Sequence, residues 1–286
     1  MTLFGPSGNS ENFVAAGKKT TEQSAEWVKN LGLDAFEYSF GRGVALGDDR
    51  AVSIGEAFEK AGIKISVHAP YYINFANADP EMIEKSIGYV TDSAKKCRLM
   101  GGKRIIFHPA SQGKDAREVA FARTKDNFYR LAEAIKEQGL DDMIFCPETM
   151  GKIAQIGTVE EVAELCTTDD LFIPTVDFGH VNARERGSLK TKDDYLSRID
   201  YMIDKIGYDR MKHFHIHFSK IMYSVKGEIK HLNFDDTVYG PEFEPLAEAL
   251  VMRNLEPVVI CESAGNQDYD ALFMKNTYES VLSCKP

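Results

Sequence analysis

Nowhere in the 286 residues is there an uninterrupted apolar run long enough to cross a bilayer, and no charged-then-apolar leader follows Met1. A cytoplasmic chain with no membrane partner is therefore expected. Cysteine is scarce and scattered: five thiols, at positions 97, 146, 166, 261 and 284, form no Cys-x-x-Cys pair. That argues against a disulfide framework or a cysteine-type zinc knuckle, and for buried or idle thiols. Positive charge is in deficit, with 34 Lys and Arg against 44 Asp and Glu and a formal net charge of -10. A broad basic surface clinging to phosphate backbones is disfavoured, but a local positive site is not, because bound divalent cations can reverse the sign of a pocket. No Pro/Ser/Gly linker or composition break divides the chain, and its 43% hydrophobic content is enough for a large core. Residues 1–286 therefore read as a single domain, expected to be a monomer without a protein partner.

What the sequence does contain is a rhythm. Short β-rich runs alternate with longer stretches of helical period, which means repeated βα units. The strands are placed at Leu3–Pro6, Ala35–Phe40, Lys64–Pro70, Arg104–Pro109, Met143–Thr149, Phe172–Phe178, Met211–Phe218 and Pro257–Ser263. Between them, "TTEQSAEWVKNLG" repeats Ala25, Val28 and Leu31 at helical spacing, and a second helix starts at Asp79-Pro80 and stops at Gly101-Gly102. Eight such units predict a (β/α)8 TIM barrel, with a doubly wound sheet as the periodicity-equivalent alternative.

Histidine is the informative residue. All seven (His68, His108, His180, His213, His215, His217 and His231) lie outside the predicted helices, within the seventh strand or at or beyond the end of a strand. Carboxylates complete the pattern in "FCPET", "VDFGH" and "VICES". The separations His68 to His108 (40), His108 to Glu148 (40), Glu148 to Asp177 (29), Asp177 to His215 (38) and His215 to Glu262 (47) each approximate one βα unit. Six adjacent strands would then aim into one pocket at the C-terminal mouth, where barrel enzymes keep their chemistry. Singly, a strand histidine is more often a packed, hydrogen-bonded residue than a ligand. Jointly, so many buried ionisable groups would carry several kcal/mol of desolvation each, on the order expected for unpaired ions, unless dications relieved it. Imidazole and carboxylate donors suit zinc, with manganese possible, and eight candidate donors imply more than one ion.

The motifs "SVHAPYYINFAN", "IIFHPA", "CPETMG", "TVDFGHVNA", "HFHIHFSK", "IKHL" and "ICES" resemble, nearly end to end, the successive metal motifs of the endonuclease IV family of apurinic/apyrimidinic endonucleases. The resemblance implies a zinc-dependent DNA-repair hydrolase with two or three ions per chain, cleaving damaged double-stranded DNA 5′ to an abasic site. It implies that His68 and His108 hold one ion, that Glu148 bridges it to a second bound by Asp177, His215 and Glu262, and that His180 and His231 hold the third. Glu148 is accordingly the expected catalytic residue. Alternation in "HFHIHFS" cannot rank its three histidines; His215 is the expected ligand, His217 a contact to a ligand or to substrate, and His213 a deeper, hydrogen-bonded structural residue. One departure stands out. The family's aspartate two residues before the last histidine is here Ile229, with Glu228 one further back. Either Glu228 reaches in through a shifted loop, or a water substitutes, or the site is empty.

Arg42, Tyr71, Tyr72, His217 and Lys220 are the expected substrate-binding residues, Tyr71 and Tyr72 by stacking on or insertion beside an extruded nucleotide. Plain rim aromatics and solvated cations would look the same in sequence. Two other classes stay open. A single-metal sugar isomerase or epimerase of the xylose-isomerase-like barrels would use Glu148, Asp177, His215 and Glu262 alone, and a non-catalytic metal-binding homologue would need still less. The surplus imidazoles at His68, His108, His180 and His231 favour the nuclease.

Overall fold

The computed structural model describes residues 1–41 and 43–284. Eight parallel strands form the barrel: Leu3–Pro6, Ala35–Ser39, Lys64–His68, Arg104–Phe107, Ile144–Pro147, Thr175–Asp177, His215–Phe218 and Val258–Cys261. They run as two four-stranded arcs, the second to fifth strands in one and the sixth, seventh, eighth and first in the other. Single bridges close the cylinder, Ser7 to Glu37 on one side and Phe145 to Phe172 and Glu148 to Thr175 on the other. The first predicted strand matches end to end, and the other seven are in place but shorter than predicted. The sixth starts only after Pro174, which has no N–H to give a ladder. The seventh begins at His215 and not Met211, because Tyr208–Lys212 is a short helix and His213 caps its C-terminus.

The helices pack outside for reasons visible in their ends. Thr21–Asn30 opens with a capping box between Thr20 and Gln23. In Pro80–Leu99, Asp79 accepts the Glu81 amide at 2.9 Å, Pro80 stands where its missing N–H costs nothing, and Gly101 turns the chain at φ 73°. Their apolar faces cover the strands' outer sides, burying Val28, Phe58, Val90, Phe128 and Ile199 among others. Among the described residues no helix is long and apolar enough to cross a membrane. The five thiols are free, four of them buried.

Beyond the C-terminal mouth, the seventh strand runs into an antiparallel hairpin, Lys220–Ser224 with Gly227–Leu232. Its tip is pressed against the loop after the fifth strand. The Glu228 amide donates to the Gly151 carbonyl at 3.1 Å, and a Cβ at Gly227 would lie 2.1 Å from that oxygen. Only glycine permits that approach, so the hairpin is held over one side of the mouth.

Candidate metal centre

Strand ends deliver the donors. His68 ends the third strand, His108 and Glu148 follow the fourth and fifth, Asp177 ends the sixth, His217 lies in the seventh and Glu262 follows the eighth. Glu148, fully buried, is the hub. Its Oε2 is 3.2 Å from Nε2 of both His68 and His108; its Oε1 is 3.0 Å from His217 Nδ1 and 3.4 Å from His180 Nδ1. Donor atoms of Glu148, Asp177, His217 and Glu262 all lie within 4.8 Å of one another, as do those of His68, Glu148 and His217. Asp177 also caps the helix Phe178–Arg184, accepting the His180 amide at 2.8 Å. His180 is thus a helix residue, contrary to the reading that no histidine would be, and the cap is what turns its ring into the mouth.

The seventh strand requires a correction. His217, not His215, joins Glu148, Asp177 and Glu262. Both rings point into the barrel, their centroids 5.2 Å apart, but two residues of strand separate them and set them at different heights. His215 is level with Thr175 and Val258, whereas His217 is level with Asp177 and Ile260. Only the upper ring reaches the mouth. His215 lies beneath it, 3.1 Å from Glu37, and both nitrogens lack a hydrogen-bond partner of good geometry. His213 is no deep residue either: its half-exposed ring lies 3.9 Å from Glu256 beside a cavity of about 430 Å³ at the opposite end of the barrel.

Hairpin geometry answers the question posed by Ile229. Ile221 pairs with His231, Met222 with Lys230 and Tyr223 with Glu228, so Ile229 is an extra, unpaired residue in a β-bulge. The bulge shifts parity by one. Ile229 turns to solvent, 52% exposed, and Glu228 takes the inward place beside His231. Glu228, His180 and His231 form a further donor group, with Glu228 Oε2 3.4 Å from His180 Nε2. Gly151 leaves the room this needs, since a Cβ there would meet Glu228 Cβ at 2.7 Å and His180 Cδ2 at 2.9 Å.

Glu37, in the middle of the second strand, escaped sequence reasoning altogether. It is fully buried, receives the Ser66 hydroxyl at 2.8 Å, and touches His215 and His217. A carboxylate at the centre of "AFEYS", a strand with no other ligand candidate, was the available signal.

Electrostatically the cluster is overfull. Burial would raise the Glu148 carboxyl, but the charge of His217 and contacts from His108, His180 and His217 hold it well below the usual carboxylate range. Burial raises the Asp177 carboxyl; the His180 charge opposes this, and Glu148 and Glu262 add to the rise. Burial opposes charging of His180, yet the carboxylates of Asp177 and Glu148 lift it to about 10. His215, with burial dominant, is pushed down to about 4. Protons and carboxylates are thus competing for one space, and Asp177 Oδ2 is buried with no hydrogen bond, only an ion-pair contact of 3.2 Å to His180 Nδ1. A divalent cation fits this donor set: nitrogens and carboxylate oxygens converge, no sulfur takes part, and the orphaned oxygen gains a partner.

Of the expected substrate contacts, Tyr71 and Tyr72 are exposed at 59% and 57%, and the Tyr71 ring stands 5.6 Å from the His68 ring and 5.4 Å from that of His108. Lys220 is a correction. It is only 6% exposed, and its ammonium is engaged by the Asp236 carbonyl and the Glu242 carboxylate, both at 2.8 Å, so it is not free to meet a phosphate. Lys226 and Lys230 on the hairpin are exposed. Arg42 lies outside the described residues.

Comparison with known proteins adds lineage to this geometry. A family model described as the xylose isomerase-like TIM barrel matches residues 25–276. An uncharacterized protein of Methanocaldococcus jannaschii is 30% identical over 281 residues, 98% of both chains. A probable endonuclease 4 of Listeria monocytogenes is 30% identical over 220 residues, covering 72% of this chain and 70% of its own. Among solved structures, D-psicose 3-epimerase of Clostridium cellulolyticum superposes with a TM-score of 0.68 over 99% of this chain and 100% of that one, at 16% identity.

Proposed function

Because the chain belongs to the xylose isomerase-like TIM barrel family, whose fold carries more than one chemistry, we propose from its side chains that it is a multinuclear metal-dependent phosphodiester hydrolase. Its substrate in this reading is duplex DNA, incised 5′ to an abasic site, with the protein acting as a cytoplasmic monomer. One observation carries the reading: three donor groups meet around Glu148 and His180, with more imidazoles than a single ion can use. In this reading His68 and Glu148, with His108 Nε2 3.2 Å from the same Glu148 oxygen, would hold one zinc, Glu148, Asp177, His217 and Glu262 a second, and His180, Glu228 and His231 a third. When bound, such ions supply Lewis acidity, activating a water and neutralising charge that develops on phosphoryl oxygens. The protein's own part is to hold that array dry and rigid. Glu148 ties the walls together, Asp177 fixes His180 through the helix cap, and the Tyr71 ring offers a face beside His68 and His108 against which an extruded sugar or base can lie.

A second reading rests on a specific observation. Glu148, Asp177, His217 and Glu262 form by themselves a complete donor set for one ion, and a D-psicose 3-epimerase shares the barrel along its whole length. A single-metal ketose isomerase or epimerase would leave His68, His108, His180, Glu228 and His231 without work. The two separate cleanly in one experiment: metal content of the purified chain, then incision of a duplex bearing one abasic analogue beside turnover of a ketohexose. Two or three ions with strand cleavage support the hydrolase. One ion with ketose turnover overturns it, and a loaded protein inert on both would mean a non-catalytic metal binder.

The bulge makes a further prediction. Glu228→Ala should lower zinc content by one ion per chain and slow incision by about 10²-fold, at the upper end of what a lost metal-supporting group costs. Plasma mass spectrometry reads the count; an unchanged stoichiometry would put Glu228 outside the centre.

A further inference from the structure

For an imidazole beside the centre, what one ring nitrogen meets decides whether the other offers a lone pair. In a neutral ring one nitrogen carries hydrogen and the other a lone pair. His68 Nδ1 lies 2.8 Å from the Ala69 carbonyl and His180 Nδ1 3.0 Å from that of Thr149; carbonyls only accept, so in each neutral ring the proton is on Nδ1 and the lone pair on Nε2. His231 Nδ1 is 2.8 Å from the Ser219 hydroxyl, which can donate or accept and so does not by itself fix the proton.

His217 is turned the other way. Its Nδ1 faces the centre, 3.0 Å from Glu148 and 3.6 Å from Glu262, while Nε2 points into the barrel at Glu37 Oε1, 2.9 Å away. Neither Nε2 nor Oε1 makes a hydrogen bond to any group; the two face each other at 2.9 Å outside hydrogen-bond alignment, as an ion-pair contact. Glu37 is itself fixed: its second oxygen receives the Ser66 hydroxyl at 2.8 Å and lies 3.1 Å from His215 Nε2. Among the described residues no lysine or arginine pairs with it.

We propose that Glu37 is the positioning residue of His217, holding its proton on Nε2 so that the Nδ1 lone pair is the one offered to a dication shared with Glu148, Asp177 and Glu262. The inference rests on the metal-centre reading above. Without the carboxylate, the proton would move to Nδ1, where Glu148 would accept it, and the centre would lose a ligand rather than merely bind it loosely. A fully buried carboxylate is costly to keep and a poor choice for packing alone. Steering an imidazole accounts for it, as carboxylate partners do for other metal-binding histidines.

The test uses the whole chain, zinc as the probe, a chromophoric chelator in competition, and proton–nitrogen correlation spectra of the histidine rings. In the zinc-loaded wild type, His217 should show a protonated Nε2 and a metal-bearing Nδ1. Glu37→Gln should fold, by an unchanged circular dichroism spectrum, yet bind that zinc about 10- to 100-fold more weakly, with His217 showing mixed tautomers. Ser66→Ala, which frees Glu37 while touching no donor, should show a smaller loss in the same direction and serves if Glu37→Gln does not fold. Equal zinc affinity in wild type and both variants, or ligation through Nε2 in the wild type, overturns the inference alone. A wild type that takes up no dication overturns the metal-centre reading, and this inference with it.

Discussion

Glu148→Gln is expected to lower turnover on the order of 10³-fold, the upper end for removal of one preorganised electrostatic element. The chain should remain folded. The two oxygens of this carboxylate face different donors, His68 and His108 on one side and His217 and His180 on the other. A carboxamide has the same shape but one acceptor and one donor, and its NH2 would point at whichever ion it should hold. Two ions per chain are therefore expected to weaken together, while the third, held by His180, Glu228 and His231, persists. Mass spectrometry of the variant, alongside its melting curve, reads both effects. Undiminished turnover with full metal content would contradict the hub role.

The second large effect is an asymmetry within one strand. His217→Ala should lose the central ion and reduce turnover by at least about 10²-fold, since it removes a donor at the level of Asp177. His215→Ala, two residues away on the same face, should retain metal and most activity but destabilise the fold by roughly 3 kcal/mol, within the range for emptying a buried site and unpairing a buried charge. That destabilisation arises because Glu37 would lose one of its two imidazole partners and a fully enclosed ring would leave a void. Metal analysis and thermal unfolding of the pair decide the matter. The reverse pattern, with metal lost from His215→Ala and kept by His217→Ala, would mean that the heights of the seventh and sixth strands are misassigned.

Much of this was legible beforehand, and for identifiable reasons. The alternation of β-rich and helical periods is a one-dimensional signal, so eight strands could be placed to within a few residues. The donors could be gathered because strand ends in a parallel barrel all face one mouth. Errors came where the decisive quantity is not periodic. Residues 211–214 carry no strong breaker, so the strand was extended through what is a helix ending at Lys212. Lys220 looked like a rim cation, but its partners, Asp236 and Glu242, lie 16 and 22 positions away in a loop whose path no local pattern announces. Glu37 was passed over because its significance comes wholly from neighbours on the third and seventh strands.

Composition and spacing by themselves determined the class of donor, nitrogen and carboxylate without sulfur, and the repeating unit that brings those donors to one end of a cylinder. Side-chain alternation names the face on which a residue lies, and no more. Height along the barrel axis is set by register between strands, so only the folded arrangement could choose His217 over His215. Parity in the hairpin is reset by one bulged residue, so only the same arrangement could turn Glu228 inward and Ile229 out.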